Sequence, residues 1–171
     1  MNNNLLILGA GGHGRVVKET AQAMGCFDRI EFLDDNSKET IGKCKDFKQF
    51  IRDFTYAFVA FGNNELRLKW IEELNEAGFQ LPVLIHPTSY ISPSAKIGAG
   101  TIVESMAVVN TNAIIDKGCI LSIGALVDHD SIVSECTHIN SGAIVKAGCK
   151  VNPLTKVDAG MVHSVSFSLT K

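Results

Sequence analysis

From Ile91 onward an aliphatic residue recurs at every sixth position: Ile97, Val103, Val109, Ile115, Leu121, Val127, Val133, Ile139, Val145, Val151 and Val157 follow without a miss. A second series, of small residues, runs four positions behind it: Ala95, Thr101, Ala107, Ala113, Cys119, Ala125, Ser131, Thr137, Ala143, Cys149 and Thr155. A period of six is neither the 3.6 of a helix nor the 2.0 of a half-buried strand. It fits a parallel β-helix in which each hexapeptide makes one short side of a triangular coil. The aliphatic then points inward and stacks on the residue three hexapeptides later, and the small residue sits near the tight corner. Glycines such as Gly118 and Gly142 fall between the two series, at turns that call for positive φ. Twelve hexapeptides make about four coils. Amphipathic β-hairpins are the competing arrangement.

The residues before this array read differently. Asn4–Leu8 is a buried strand, followed at once by Gly9-Ala10-Gly11-Gly12-His13-Gly14 and then a helix over 15–24. Glycines at this spacing let the backbone turn tightly and approach a phosphate at a helix N-terminus. A second strand over 30–33 ends in Asp34-Asp35, about twenty residues beyond the fingerprint, where an acid can accept hydrogen bonds from a ribose or a base. A third strand over 56–60 leads to Gly62-Asn63-Asn64-Glu65, with Asn as N-cap of a helix that stops at Gly78. Residues 81–85 read as a short fourth strand, and His86-Pro87 as the passage into the array. Residues 1–85 are thus expected to form a Rossmann-like nucleotide-binding domain, and residues 86–171 the β-helix. Only one mononucleotide half exists, so NAD is a poor ligand.

A hydrophobic content of 46% with 20% charged residues is that of a globular chain. A net charge of −2 with scattered Lys and Arg offers no basic face for nucleic acid. The apolar runs are too short to span a bilayer and no signal pattern opens the chain, so a cytoplasmic protein is expected. Five cysteines without CxxC spacing read as reduced thiols.

The Gly-rich turn, Asp34-Asp35, Gly62-Asn63-Asn64, Leu84-Ile85-His86-Pro87 and Val127-Asp128-His129-Asp130 within hexapeptide repeats together resemble the nucleotide-sugar acetyltransferases of bacterial glycan synthesis. Members of that family N-acetylate UDP-4-amino-4,6-dideoxy sugars, and relatives described as sialic acid O-acetyltransferases share the layout. The resemblance implies a left-handed β-helix, a homotrimer and acetyl-CoA as co-substrate bound between neighbouring solenoids. It implies that Gly12, His13, Gly14, Asp34, Asp35, Gly62 and Asn63 hold a UDP-linked amino sugar. It makes His129 the catalytic base and Asp130 the acid that raises its basicity, and sets His138 and Gly142 on the acetyl-CoA side. Ser122 stands where some members carry a polar amide, and residues 164–171 either cap the last coil or stop short of doing so.

The residues support the same chemistry on their own. His129 occupies an outward position between two carboxylates, so core stacking does not explain it, and an imidazole beside a carboxylate is a good general base near neutral pH. The alternatives are sugar O-acetylation with the same base, a non-catalytic nucleotide-sugar-binding protein, or a solvent-facing histidine with no role. A zinc site of three histidines is disfavoured by the spacing of His129, His138 and His163, so no metal is expected. Cys136 and Cys149 lack partners for nucleophilic catalysis, and His86 reads as structural.

Overall fold

The computed structural model describes residues 2–165. Its first part is a three-stranded parallel sheet, order β2-β1-β3, built from β1 (Asn4–Leu8), β2 (Arg29–Leu33) and β3 (Tyr56–Val59). Helix α1 (Gly12–Met24) joins β1 to β2, and helix α2 (Asn64–Glu76) follows β3. Leu5 to Leu8 are all fully buried, as befits a central strand covered on both faces. Between β2 and β3 runs a 3-10 segment, Cys44–Phe50, whose Cys44 and Phe47 close one side of the core. The sequence carries no signal for it, because so short a segment shows no period.

Helix α2 starts as its sequence requires. Asn63 has an extended backbone and its side chain accepts the Leu66 N–H at 2.8 Å, while Glu65 sits in the first turn. Helix α1 begins earlier than the fingerprint suggests, at Gly12, with Gly11 as N-cap and no side chain capping it.

The second part is a left-handed solenoid with three parallel faces. Its strands are two residues long and each pairs with the strand eighteen residues away, as in Ile102↔Ile120 and Leu126↔Ile144. The aliphatic series lines the interior, with Ala107, Ala113, Cys119, Ala125, Ala143 and Cys149 beside it. Where the small series is polar, the hydroxyl is satisfied inside: Thr101 donates to Asp116 O at 3.0 Å, Ser131 to Lys146 O at 2.9 Å and Thr137 to Asn152 O at 3.0 Å.

One expectation is corrected here. The strand Leu84–Ile85, β4, does not extend the N-terminal sheet; it pairs with Ile102–Val103 as the first rung of the solenoid. Ile85 lies six residues before Ile91 and packs on the same core, so the hexapeptide register begins one unit sooner than Ile91. The expected cap over residues 164–171 falls almost wholly outside the described residues.

The two parts share a seam. Along the face that contains β4, the outward-pointing Leu84, Ile102 and Ile120 stack in one column and pack against Leu5, Ile7, Val17, Ala21 and Phe58. The next residue in that column is His138, followed by Lys156. The apolar column therefore turns polar beside the glycine-rich turn, where His13 lies.

Candidate active site

The glycine-rich turn is built by close approach at one end and openness at the other. Gly9 has φ +105° and donates its N–H to Leu33 O at 2.8 Å. A Cβ on Gly14 would lie 2.1 Å from the Gly9 carbonyl oxygen, so helix and strand can meet only if residue 14 has no side chain. Gly11 and Gly12 are exposed, and a Cβ on either would meet nothing within 4 Å. The uncapped helix N-terminus is thus open to an anion from outside. A Gly14→Ala change is expected to lower stability by about 1–3 kcal/mol through this overpacking. Thermal unfolding measures it, and an unchanged Tm would show that the helix slides without cost.

Asp34 serves this turn. Its two carboxylate oxygens accept the N–H groups of Ala10 at 2.8 Å, Asn36 at 2.8 Å and Ser37 at 2.9 Å, and these bonds hold its carboxyl below the usual carboxylate range. Its first task is to tie the end of β2 to the fingerprint. Asp35 is exposed, with one oxygen taking the Cys44 N–H at 3.2 Å. Gly62 is exposed beside the turn, whereas the Asn63 side-chain oxygen is occupied by its own helix cap.

His129 sits on a corner of the solenoid, half-exposed. Its Nδ1 is 2.8 Å from Asp130 Oδ2, and its backbone N–H donates to Asp128 Oδ1 at 2.7 Å. Both carboxylates are steadied from the coil below, Asp128 by Asn110 Nδ2 at 2.9 Å and Asp130 by Asn112 Nδ2 at 3.1 Å. Asp130 takes φ +57°, the left-handed corner conformation that recurs at six-residue spacing along the solenoid, as at Asn112, Gly118, Gly124 and Cys136. The hydrogen bond to Asp130 raises the histidine pKa above its ordinary value. With Nδ1–H given to Asp130, Nε2 presents a bare lone pair outward, the arrangement a general base requires.

His138 is different in kind. It is largely buried, its Nε2 lies 2.9 Å from Ser122 Oγ, and burial, then Arg67 and Lys156, pull its pKa down to about 4. His13 is likewise held neutral, at about 4, first by burial and then by His138 and Arg67. Gly142 occupies the corner after this face with φ +65° and donates to Ile123 O at 3.0 Å.

The topology brings some of these residues together and keeps others apart. His13, His138, Ser122 and the glycine-rich turn gather at the face of the solenoid that contains Leu84, Ile102 and Ile120. His129 lies between the strands Leu126–Val127 and Ile132–Val133, at the corner where the other two faces meet. That corner is opposite the seam. Arg67 and Glu104, which the sequence analysis did not single out, are both buried at the seam.

Comparison with known proteins gives concordant results. The family described as PglD N-terminal domain matches residues 4–74. The UDP-N-acetylbacillosamine N-acetyltransferase of Bacillus subtilis (strain 168) is 32% identical over 110 residues, a match covering 58% of this chain and 50% of that protein. The chain therefore spans about half the length of that curated relative. The acetyltransferase domain of PglB from Neisseria gonorrhoeae FA1090 is 36% identical, with a TM-score of 0.91 over 94% of this chain and 82% of that one. The same domain in complex with acetyl coenzyme A superposes with a TM-score of 0.90. PerB from Caulobacter crescentus, in complex with CoA and GDP-perosamine, is 26% identical with a TM-score of 0.81, over 95% of this chain and 89% of that one.

Proposed function

The chain belongs to the left-handed β-helix acetyltransferases that act on nucleotide sugars, and from that membership we propose that it moves acetyl from acetyl-CoA to the amino group of a UDP-linked 4-amino-dideoxy sugar. The observation that carries the reading is the exposed His129–Asp130 pair, a base with its orienting acid on the rim of a solenoid. The division of labour follows the two parts: the Rossmann-like part before Leu84 holds the nucleotide sugar, and the solenoid from Leu84 onward binds acetyl-CoA and carries the base.

In this mechanism the diphosphate lies at the open N-terminus of α1, against Gly12, His13 and Gly14, with Asp35 and Gly62 toward the nucleoside. Asp34 and Asn63 act one step back, by fixing the turn and the start of α2. The neutral sugar amine attacks the thioester carbonyl carbon, and His129 Nε2 takes the amine proton as the C–N bond forms. The tetrahedral adduct collapses with loss of the CoA thiolate, which recovers a proton from the imidazolium. The products are the N-acetyl sugar and CoA thiol. Thioesters are already activated, so no covalent enzyme intermediate is needed. His138 and Gly142 belong to the donor side.

The opposition of His129 to the seam supports a shared site. A nucleotide sugar held at the seam reaches a His129 only from another copy, so the active enzyme is read as a homotrimer with each site between neighbours. Exposed Tyr90, Met106, Ile123, Met161 and Val162 supply apolar surface for that packing. Among the described residues no helix is long and apolar enough to cross a membrane, and the cytoplasm is the expected setting.

Thiol release from acetyl-CoA is the test, measured with UDP-amino sugars, GDP-amino sugars, UDP-hydroxy sugars and no acceptor. Release that depends on a UDP-amino sugar is expected. Release with a hydroxy sugar alone would replace N- by O-acetylation, and none with any acceptor would overturn the enzyme reading. Light scattering is expected to report a trimer at micromolar concentration; a monomer that turns over would refute the shared site.

A further inference from the structure

Glu104 is a buried carboxylate that the mechanism above does not use. It follows core residue Val103 and points outward, yet its side chain is only 10% exposed because α1 covers it. One oxygen, Oε2, accepts the Ile123 N–H at 2.9 Å. The other, Oε1, lies 3.6 Å from His13 Nδ1, a distance that a small rotation of either side chain closes to a hydrogen bond. Glu104 also floors a cleft of about 260 Å³ between α1 and the solenoid, where Glu19 and His86 are the other titratable groups. Arg67, from α2, contributes positive potential to both seam histidines.

Two further facts give this carboxylate a direction to act in. His13 Nε2 and His138 Nδ1 are both buried without a hydrogen-bond partner, and they are the two such side-chain atoms among the described residues. An imidazole that is neutral carries one N–H and one lone pair, and the partner at one nitrogen decides which is at the other. Burial raises the Glu104 pKa while the Ile123 N–H works against that rise; in its ionised form the carboxylate can only accept, so it selects the His13 tautomer with hydrogen on Nδ1 and leaves Nε2 as a lone pair. The remaining buried nitrogen, His138 Nδ1, completes the set as a donor. His138 Nε2 is then a lone pair that accepts the Ser122 hydroxyl, 2.9 Å away.

We propose that Glu104 is a positioning residue for acetyl transfer, which by fixing the His13 tautomer sets an array of donors and acceptors of one polarity among the buried groups of the seam. The array runs from the Ser122 hydroxyl to His138 Nε2 at 2.9 Å and from His13 Nδ1–H to the Glu104 carboxylate at 3.6 Å; between these ends the buried His138 Nδ1 and His13 Nε2, unpaired in the structure, take the complementary roles of donor and acceptor. It ties the nucleotide-sugar turn to the solenoid face on the acetyl-CoA side. Reversing it would put hydrogen on His138 Nε2 and change what that ring offers to Ser122. This rests on the acetyltransferase reading only for its effect on rate; the tautomers themselves do not depend on that reading.

The experiment uses the full chain with 15N-labelled histidine, together with Glu104→Gln and Glu104→Leu. Glutamine keeps the shape and can still accept the Ile123 N–H, but its remaining NH2 must donate, which favours the opposite His13 tautomer. In the unaltered protein at neutral pH, the His13 nitrogen shifts are expected to report hydrogen on Nδ1, and in Glu104→Gln to move to Nε2. Acetyl transfer in Glu104→Gln is expected to show kcat lowered roughly tenfold with the KM for acetyl-CoA within about twofold, the pattern of a group that acts on the transition state. Glu104→Leu, which fills the same space without a partner for His13 or for the Ile123 N–H, removes the carboxylate altogether: a mixed tautomer is expected, with a Tm lowered by the stranded N–H. Hydrogen on Nε2 in the unaltered protein, or no change in Glu104→Gln, overturns the array. A tautomer that flips with kcat unchanged overturns its part in the reaction. If no acceptor supports turnover, the proposed function has failed while the nitrogen shifts still decide the array.

Discussion

His129→Ala is expected to lower kcat for acetyl transfer by ~10²–10⁴-fold while leaving UDP-sugar affinity within about twofold, because in the proposed mechanism the residue takes the amine proton and lies away from the seam to which the nucleotide is assigned. Steady-state kinetics and calorimetric titration check the two halves separately. Full activity in the variant would remove His129 from the mechanism, and lost nucleotide binding would mean that the corner supports the seam of a neighbouring copy. The pH profile carries more information. A general base works in its neutral form, and the bond to Asp130 raises the pKa of His129, so protonation silences it at a higher pH than it would an unpaired histidine. The kcat/KM profile should therefore fall on the acid side through a midpoint above the ordinary histidine value. Asp130→Asn removes the carboxylate that raises it, and should move that midpoint to lower pH while reducing kcat, since the ring loses both its tautomer partner and its basicity. An acid limb that does not move in Asp130→Asn would assign the titration to another group, such as the acceptor amine.

The solenoid is legible in sequence because an eighteen-residue coil places residues six apart in equivalent inward positions, so one rule is repeated along the chain. Ile85 obeys the same rule, but Leu81-Pro82-Val83-Leu84-Ile85 also has the composition of a buried strand after a helix, and strand pairing alone decides between the two. The pairing of His129 with Asp130 is legible because His129 is an outward residue flanked by acids, a pattern that needs no knowledge of the fold. Asp34 was found at the right distance from the fingerprint, yet distance does not reveal that its oxygens are filled by Ala10, Asn36 and Ser37. Glu104 and Arg67 were not legible at all. An acid at an outward solenoid position and an arginine among the charges of α2 both read as surface groups. Each is buried only because the N-terminal part lies over the face on which Leu84, Ile102 and Ile120 stack, a tertiary fact that no local pattern carries.

Arg67 supplies the second large effect. Its side chain is fully buried and, among the described residues, makes no ion pair; instead its guanidinium donates to Gly118 O at 2.7 Å, Cys136 O at 2.8 Å, Phe61 O at 2.9 Å and Asn64 Oδ1 at 2.7 Å. Gly118 and Cys136 are corner residues of successive coils, both at positive φ, so their carbonyls turn out of the solenoid and toward the helix. One cation thus gathers acceptors from two coils and from both ends of the turn that opens α2. Asn64 adds to the same joint by donating to Leu154 O at 2.8 Å. Arg67→Leu keeps much of the volume and strands four acceptors; at about 1–3 kcal/mol for each buried group left unpaired, and with less than additive losses, a destabilisation of ~3–5 kcal/mol is expected. For a chain of this length that corresponds to a fall in Tm on the order of 10 °C. Arg67→Lys should recover less than half, because a compact ammonium cannot span the fork of acceptors. Burial disfavours the charge and pushes the Arg67 pKa down, and an apolar side chain avoids that desolvation, which opposes the loss of the four bonds. A Tm for Arg67→Leu within about 2 °C of the unaltered protein would mean that desolvation cancels the four bonds. The joint would then owe its stability to the apolar column alone, and a marked fall would mean that the convergence of carbonyls on one guanidinium holds the nucleotide-binding part in register with the solenoid.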